Sequence, residues 1–111
     1  MKKVEFRGSS LDDLRSFPEA AKHESGYQID RVQHGLEPDS FKPMTSIGKS
    51  VYEIRVQDPS GAFRVIYIAK FEQCVYVLHC FQKKTQKTAQ KDLNLAKNRL
   101  SELRKELRDG E

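Results

Sequence analysis

The chain has no tryptophan, only two cysteines and no long apolar run. A helix that crosses a bilayer needs about 20 predominantly apolar residues, so no membrane-spanning helix is expected. The opening MKKVEFRGSSLDD lacks the apolar stretch of a signal peptide, which makes a cytoplasmic location the expectation. Cys74 and Cys80 lie just before and at the far end of one strand-like run. We expect them on opposite faces and about 20 Å apart at the rise of an extended chain, beyond disulfide reach. They read as free thiols in a reducing compartment, packed as small hydrophobes. No Cys and His stand at zinc-site spacing, and neither a metal nor a cofactor is expected.

What is present fits one domain spanning residues 1–111, large enough to bury its own core. Hydrophobic residues make up 37% and charged residues 32%, which implies a thin core under a heavily charged surface. The net charge of +4 is unevenly spread: residues 1–40 hold six Lys or Arg against eight Asp or Glu, and residues 41–111 hold fourteen against eight. The basic half suggests an anionic partner, nucleic acid being the usual one; the alternative is a solvated surface of mixed sign.

The chain is organised around Lys49 to Thr88. Val51–Val56, Ala62–Ala69 and Val75–Phe81 are dominated by β-branched and aromatic residues and are separated by DPSG and KFEQ, which predicts a three-stranded antiparallel meander. Before it, KKVEFR alternates as a half-buried edge strand does. Ser9 or Ser10 can cap a short helix with Leu11, Leu14 and Phe17 on its apolar side, and Pro18 can open a second, with Ala20, Ala21, Tyr27 and Val32 available for burial. Their acidic balance argues against these helices as a nucleic-acid face. Residues 35–49 read as a loop, with Phe41, Met44 and Ile47 tucked beneath it. After the meander, Thr88 can cap a helix running to the C-terminus, where Leu93, Ala96, Leu100, Leu103 and Leu107 form a sustained apolar stripe.

Several cations merit a role. Arg64 interrupts an otherwise apolar strand, sharing a face with Ile66 and Ile68, and an unpaired buried charge costs several kcal/mol. Either Glu53 pairs with Arg64 or Arg55 across the strands, or the guanidinium is there for a ligand. Arg55 sits on the less apolar face of its strand. His79 leads into Lys83-Lys84-Thr85-Gln86-Lys87-Thr88, a run suited to phosphate oxygens or simply a flexible connector; its imidazole suits proton transfer if it opens onto the same cleft. Lys42 and Lys49 read first as solvated loop lysines and second as substrate contacts.

The segment VYEIRVQDPSGAFRVIYIAKFEQCVYVLHCFQKKTQKT and the amphipathic helix after it resemble the RelE/ParE toxin superfamily, and within it the phage-derived Gp49-like, HigB-type branch. The resemblance covers about residues 50–107 specifically; the first 49 residues match only in broad order. It implies an α+β RelE-like fold, with an N-terminal strand and helical hairpin packed on a mainly antiparallel sheet and a C-terminal helix. It further implies the toxin of a type II toxin-antitoxin system, an endoribonuclease on messenger RNA at translating ribosomes. Its expected partner is a cognate antitoxin of helix-turn-helix type, with no metal required. By matching position, Arg64 becomes the main phosphate contact, Arg55 a second clamp and Lys83 the basic residue after the last strand; Lys84, Lys87 and Lys49 become RNA or ribosome contacts, and His79 a candidate acid or base. The chain departs from the family at Glu53, where many members carry lysine, and at RKELRDGE, where some carry a Tyr or His. Two other readings stay open: a ParE-like gyrase inhibitor that cleaves nothing, and a non-catalytic interaction module.

Overall fold

The computed structural model describes residues 1–109. In chain order the elements are β1 (Lys3–Phe6), α1 (Ser10–Arg15), α2 (Glu19–Gln33), β2 (Phe41–Pro43), β3 (Val51–Asp58), β4 (Gly61–Ile68), β5 (Cys74–Lys83) and α3 (Gln90–Asp109). The strands form one sheet in the order β1-β5-β4-β3-β2. The meander is antiparallel as its sequence predicts, and β1 joins the far edge parallel to β5.

The alternation of apolar residues gives the sheet two dry faces. Ile54, Val56, Phe63, Val65, Val75 and Val77 pack beneath α1 and α2 against Leu14, Phe17, Ala21, Ile29 and Val32. Val51, Ile66, Ile68, Leu78 and Phe81 pack on the other face against Ala96, Leu100 and Leu103 of α3, with Met44 and Ile47 beside them. The predicted leucine stripe is therefore the docking face of α3.

Four local expectations are corrected. Tyr27 and Ala20 are exposed, because α2 turns Ala21, Ser25, Gln28, Ile29 and Val32 to the sheet instead. The segment taken as a loop contains β2, three residues that pair with Ile54, Glu53 and Tyr52 of β3. Thr88 does not cap α3: its hydroxyl donates to Glu53 Oε2 at 3.3 Å, and the first helical amides reach Ala89. The expected helix end at Gly110 and Glu111 lies outside the described residues.

One irregularity redirects β5. Ile66 pairs with His79 but Tyr67 with Val77, so Leu78 is the extra residue of a bulge. Side chains before it and after it change faces. Leu78 and Phe81 both join the α3 cluster while Cys80 joins the α1/α2 cluster, which is why Cys74 and Cys80 end on opposite faces. Both thiols are free, and burial pushes the Cys80 thiol up to about 12.

Candidate nucleic-acid interface

The α3 cluster does not cover its whole sheet face. Past the first turn of α3, the residues that continue the same face are polar or cationic. Directly paired residues project to the same side of a sheet, so two rows can be read off the register. One row runs Lys42, Glu53, Ile66, His79; the next holds Arg55, Arg64 and Phe81. Lys83, two residues beyond Phe81, continues this face at the end of β5.

Glu53 is the buried acid beneath these cations. It has no solvent exposure, and its Oε1 lies 3.5 Å from Arg64 Nε. Arg64 is only 5% exposed and donates Nη1 to the carbonyl of Phe63 at 2.9 Å. The contact with Glu53 is ionic rather than a hydrogen bond, since neither Glu53 Oε1 nor Arg64 Nε has a hydrogen-bond partner. Of the two readings of Arg64, the pairing half is thus observed: Glu53 holds Arg64, not Arg55.

That pairing leaves a surplus of positive charge. Arg55 stands directly opposite Arg64 in the β3–β4 ladder, and a like-charge pair in that position destabilises a sheet. Burial pulls the Arg64 guanidinium below its ordinary pKa; Glu53 opposes the shift and Arg55 adds to it. Lys83 is also held below the lysine range, by partial burial first, then by repulsion from Arg64, with Lys42 and Arg55 contributing and Glu53 opposing. Among the described residues no carboxylate lies within ion-pair distance of Lys42, Arg55 or Lys83. Of these four cations only Arg64 has a carboxylate within ion-pair distance among the described residues, although Glu24, Asp39 and Asp58 line the cavity beside Arg55 and Arg64.

The remaining predicted residues divide clearly. Lys84 and Lys87 are exposed in the connection from β5 to α3, adjoining Lys83. Lys49 is exposed in the turn before Val51, at the opposite end of β3 from Arg55, so the structure removes it from this group. His79 does not open beside these cations, as its acid-base role would need. It is 5% exposed, its Nε2 lies 2.7 Å from Asp92 Oδ1, and its ring stacks on Phe81 at 4.8 Å. The bulge at Leu78 turns it toward the first turn of α3. Lys42, which the sequence reads first as a solvated loop lysine and only second as a substrate contact, borders this face, as does Asp92, which the sequence did not single out; Thr88 joins through Glu53. A lysine flanked one residue on by Pro43, in a stretch without period, gave no strand signal. Among the described residues no three His, Cys, Asp or Glu side chains cluster as a metal would need.

Comparison with known proteins agrees with this architecture. The family model described as "Phage derived protein Gp49-like" matches residues 12–101. Among curated proteins none matches the chain. Among solved structures, a double mutant of the E. coli toxin RelE in the free state is similar in fold at a TM-score of 0.61, with 13% identity over 84% of this chain and 95% of that one.

Proposed function

This chain belongs to the phage-derived Gp49-like protein family and has a RelE-like α+β fold, and from that premise we propose that it is the toxin of a toxin-antitoxin pair, an endoribonuclease that cuts messenger RNA on translating ribosomes. The observation that carries the reading is the placement of Arg55 directly opposite Arg64, with Lys83 nearby, around one buried carboxylate. Such an arrangement stores repulsion that an anion relieves. A phosphodiester passing to its transition state gains negative charge, so the relief is larger there than in the ground state.

The reaction needs alignment, charge stabilisation and two proton movements. The ribose 2′-oxygen attacks the adjacent phosphorus as its proton leaves to the solvent that reaches the exposed Arg55. The bond from phosphorus to the 5′-oxygen breaks, leaving a 2′,3′-cyclic phosphate and a 5′-hydroxyl. Arg64, fixed by Glu53, and the exposed Arg55 hold the equatorial oxygens. Lys83, already a readier proton donor than an ordinary lysine, protonates the departing 5′-oxygen. Lys84 and Lys87 bind RNA or ribosome beside it. His79 and Asp92 act by fixing the start of α3 over Glu53. The partners are then messenger RNA, the ribosome and a cognate antitoxin, of helix-turn-helix type, in the cytoplasm.

The test is induced expression in growing bacteria, with messenger RNA 5′ ends mapped within minutes, for the wild type, Arg64→Ala and Arg55→Ala. The expected result is new 5′-hydroxyl ends inside translated frames, reduced about a hundredfold by either change. Among the described residues Arg55 has no ion-pair partner to orphan, so its variant separates loss of chemistry from loss of fold. Growth arrest without new ends would replace the reading with gyrase inhibition, and no arrest would favour a non-catalytic interaction module.

A further inference from the structure

We infer that Lys42 on the edge strand β2 is a further RNA contact of this site, binding a phosphate next to the one that is cleaved. The inference rests on the ribonuclease reading above. Lys42 pairs directly with Glu53 across β2 and β3, so both side chains project to the same side of the sheet. That side is the α3 side, because Glu53 there meets Arg64 and Thr88. Glu53 does not neutralise Lys42: it is fully buried, its two oxygens face Arg64 and Thr88, and no ion pair joins it to the lysine. The half-buried Lys42 therefore offers an uncompensated charge on the same face, at the edge of the sheet.

Its distance from Lys83 decides what that charge can do. β2 and β5 are separated by β3 and β4, three interstrand steps or about 14 Å. The two ammonium groups still share a field, since Lys42 is among the charges that repel a proton from Lys83. One phosphate group cannot span that width. A polynucleotide backbone crossing the strands can, with one phosphate at Arg55, Arg64 and Lys83 and its neighbour at Lys42. A contact to the neighbouring phosphate is made equally in ground and transition states, so Lys42 contributes to binding and not to the chemical step.

Counterion release gives this a distinctive signature. For single-stranded nucleic acid, log K falls with log salt at a slope of about −0.7 per neutralised phosphate. Binding of a fluorescent 2′-O-methylated RNA, which cannot be cut, is measured by anisotropy across a salt series. Lys42→Ala should make the slope shallower by about 0.7, and Lys42→Arg should restore it. Lys3→Ala, on the far edge strand, should leave it unchanged. With cleavable RNA, Lys42→Ala should raise KM several-fold while kcat stays within about twofold, whereas Arg55→Ala lowers kcat. A wild-type slope retained in a folded Lys42→Ala variant would overturn the assignment of Lys42 and leave the ribonuclease reading standing. No binding by the wild type, either to the oligonucleotide or to ribosomes programmed with it, would overturn both.

Discussion

At the scale of single residues, Glu53 has two jobs that a neutral side chain cannot share. It balances a guanidinium that is almost wholly out of water, and it ties the approach to α3 through Thr88. Removing one partner of a buried ion pair leaves the other uncompensated, at a cost of about 3 kcal/mol or more. Glu53→Gln should therefore lower the unfolding free energy by that amount at neutral pH, read as a fall in the urea midpoint, and a midpoint unchanged from wild type would show that Arg64 finds water when the carboxylate is lost. Lys83 behaves in the opposite sense. Its pKa is lower in the fold than in the unfolded chain, so the unfolded state binds more protons in that window and stability rises with pH. Lys83→Gln should thus be the more stable protein near neutrality, by a small margin because the lysine is partly solvated. The margin should shrink as the pH approaches about 10 and the wild-type lysine discharges; thermal melts across that range check the sign. Arg64 could be singled out from the sequence because a charge inside an apolar strand needs an explanation, and Glu53 was its visible partner. Lys42 read first as a solvated loop lysine, because its place beside Glu53 depends on a pairing that only the folded chain makes.

At the scale of elements, the position of α3 decides how much of its sheet face stays uncovered, and two contacts set that position. Ala96, Leu100 and Leu103 bury the stripe against the sheet. Arg99, also buried, donates from Nη1 to the carbonyl of Leu78 at 2.9 Å and from Nη2 to Ser9 Oγ at 2.9 Å. The helix thus clamps the bulge that turns His79 toward Asp92. Leu103→Ala should cost about 2–5 kcal/mol from lost burial and the cavity left behind. Arg99→Met, which keeps the apolar stem, should cost about 1–3 kcal/mol for the orphaned carbonyl. Denaturant titrations measure both, and an Arg99→Met protein as stable as wild type would mean that the bulge holds itself. The helices and the meander were readable because their periods of 3.6 and 2 are written in side-chain chemistry. The bulge was not, since Tyr76, Val77, Leu78 and His79 read as unbroken strand. β2 was not, since a three-residue edge strand ending at Pro43 owes its form to β3 and not to its own propensity.

At the scale of the whole molecule, α3 covers only part of its sheet face, and the uncovered end holds Lys42, Arg55 and Lys83, which have no ion-pair partner among the described residues. The opposite face is closed by α1 and α2, which lie in the acidic half. That uncovered end is one of the molecule's basic patches, another being formed by Lys70, Lys97, Arg104 and Arg108, and any small anion that binds at the uncovered end in the folded state alone must stabilise the fold. Inorganic sulfate at about ten times its dissociation constant would add about 1.4 kcal/mol, a rise in Tm of about 5 °C. Sulfate also strengthens burial in any protein by exclusion from the surface, so the comparison that isolates this patch is the variant carrying Arg55→Ala and Lys83→Gln together. Wild type should gain several degrees more from sulfate than this variant does, with sodium chloride at matched ionic strength giving neither protein that increment. Equal gains in the two proteins would mean that the cations are already satisfied by solvent, and the electrostatic basis of the proposed phosphate site would fall with them.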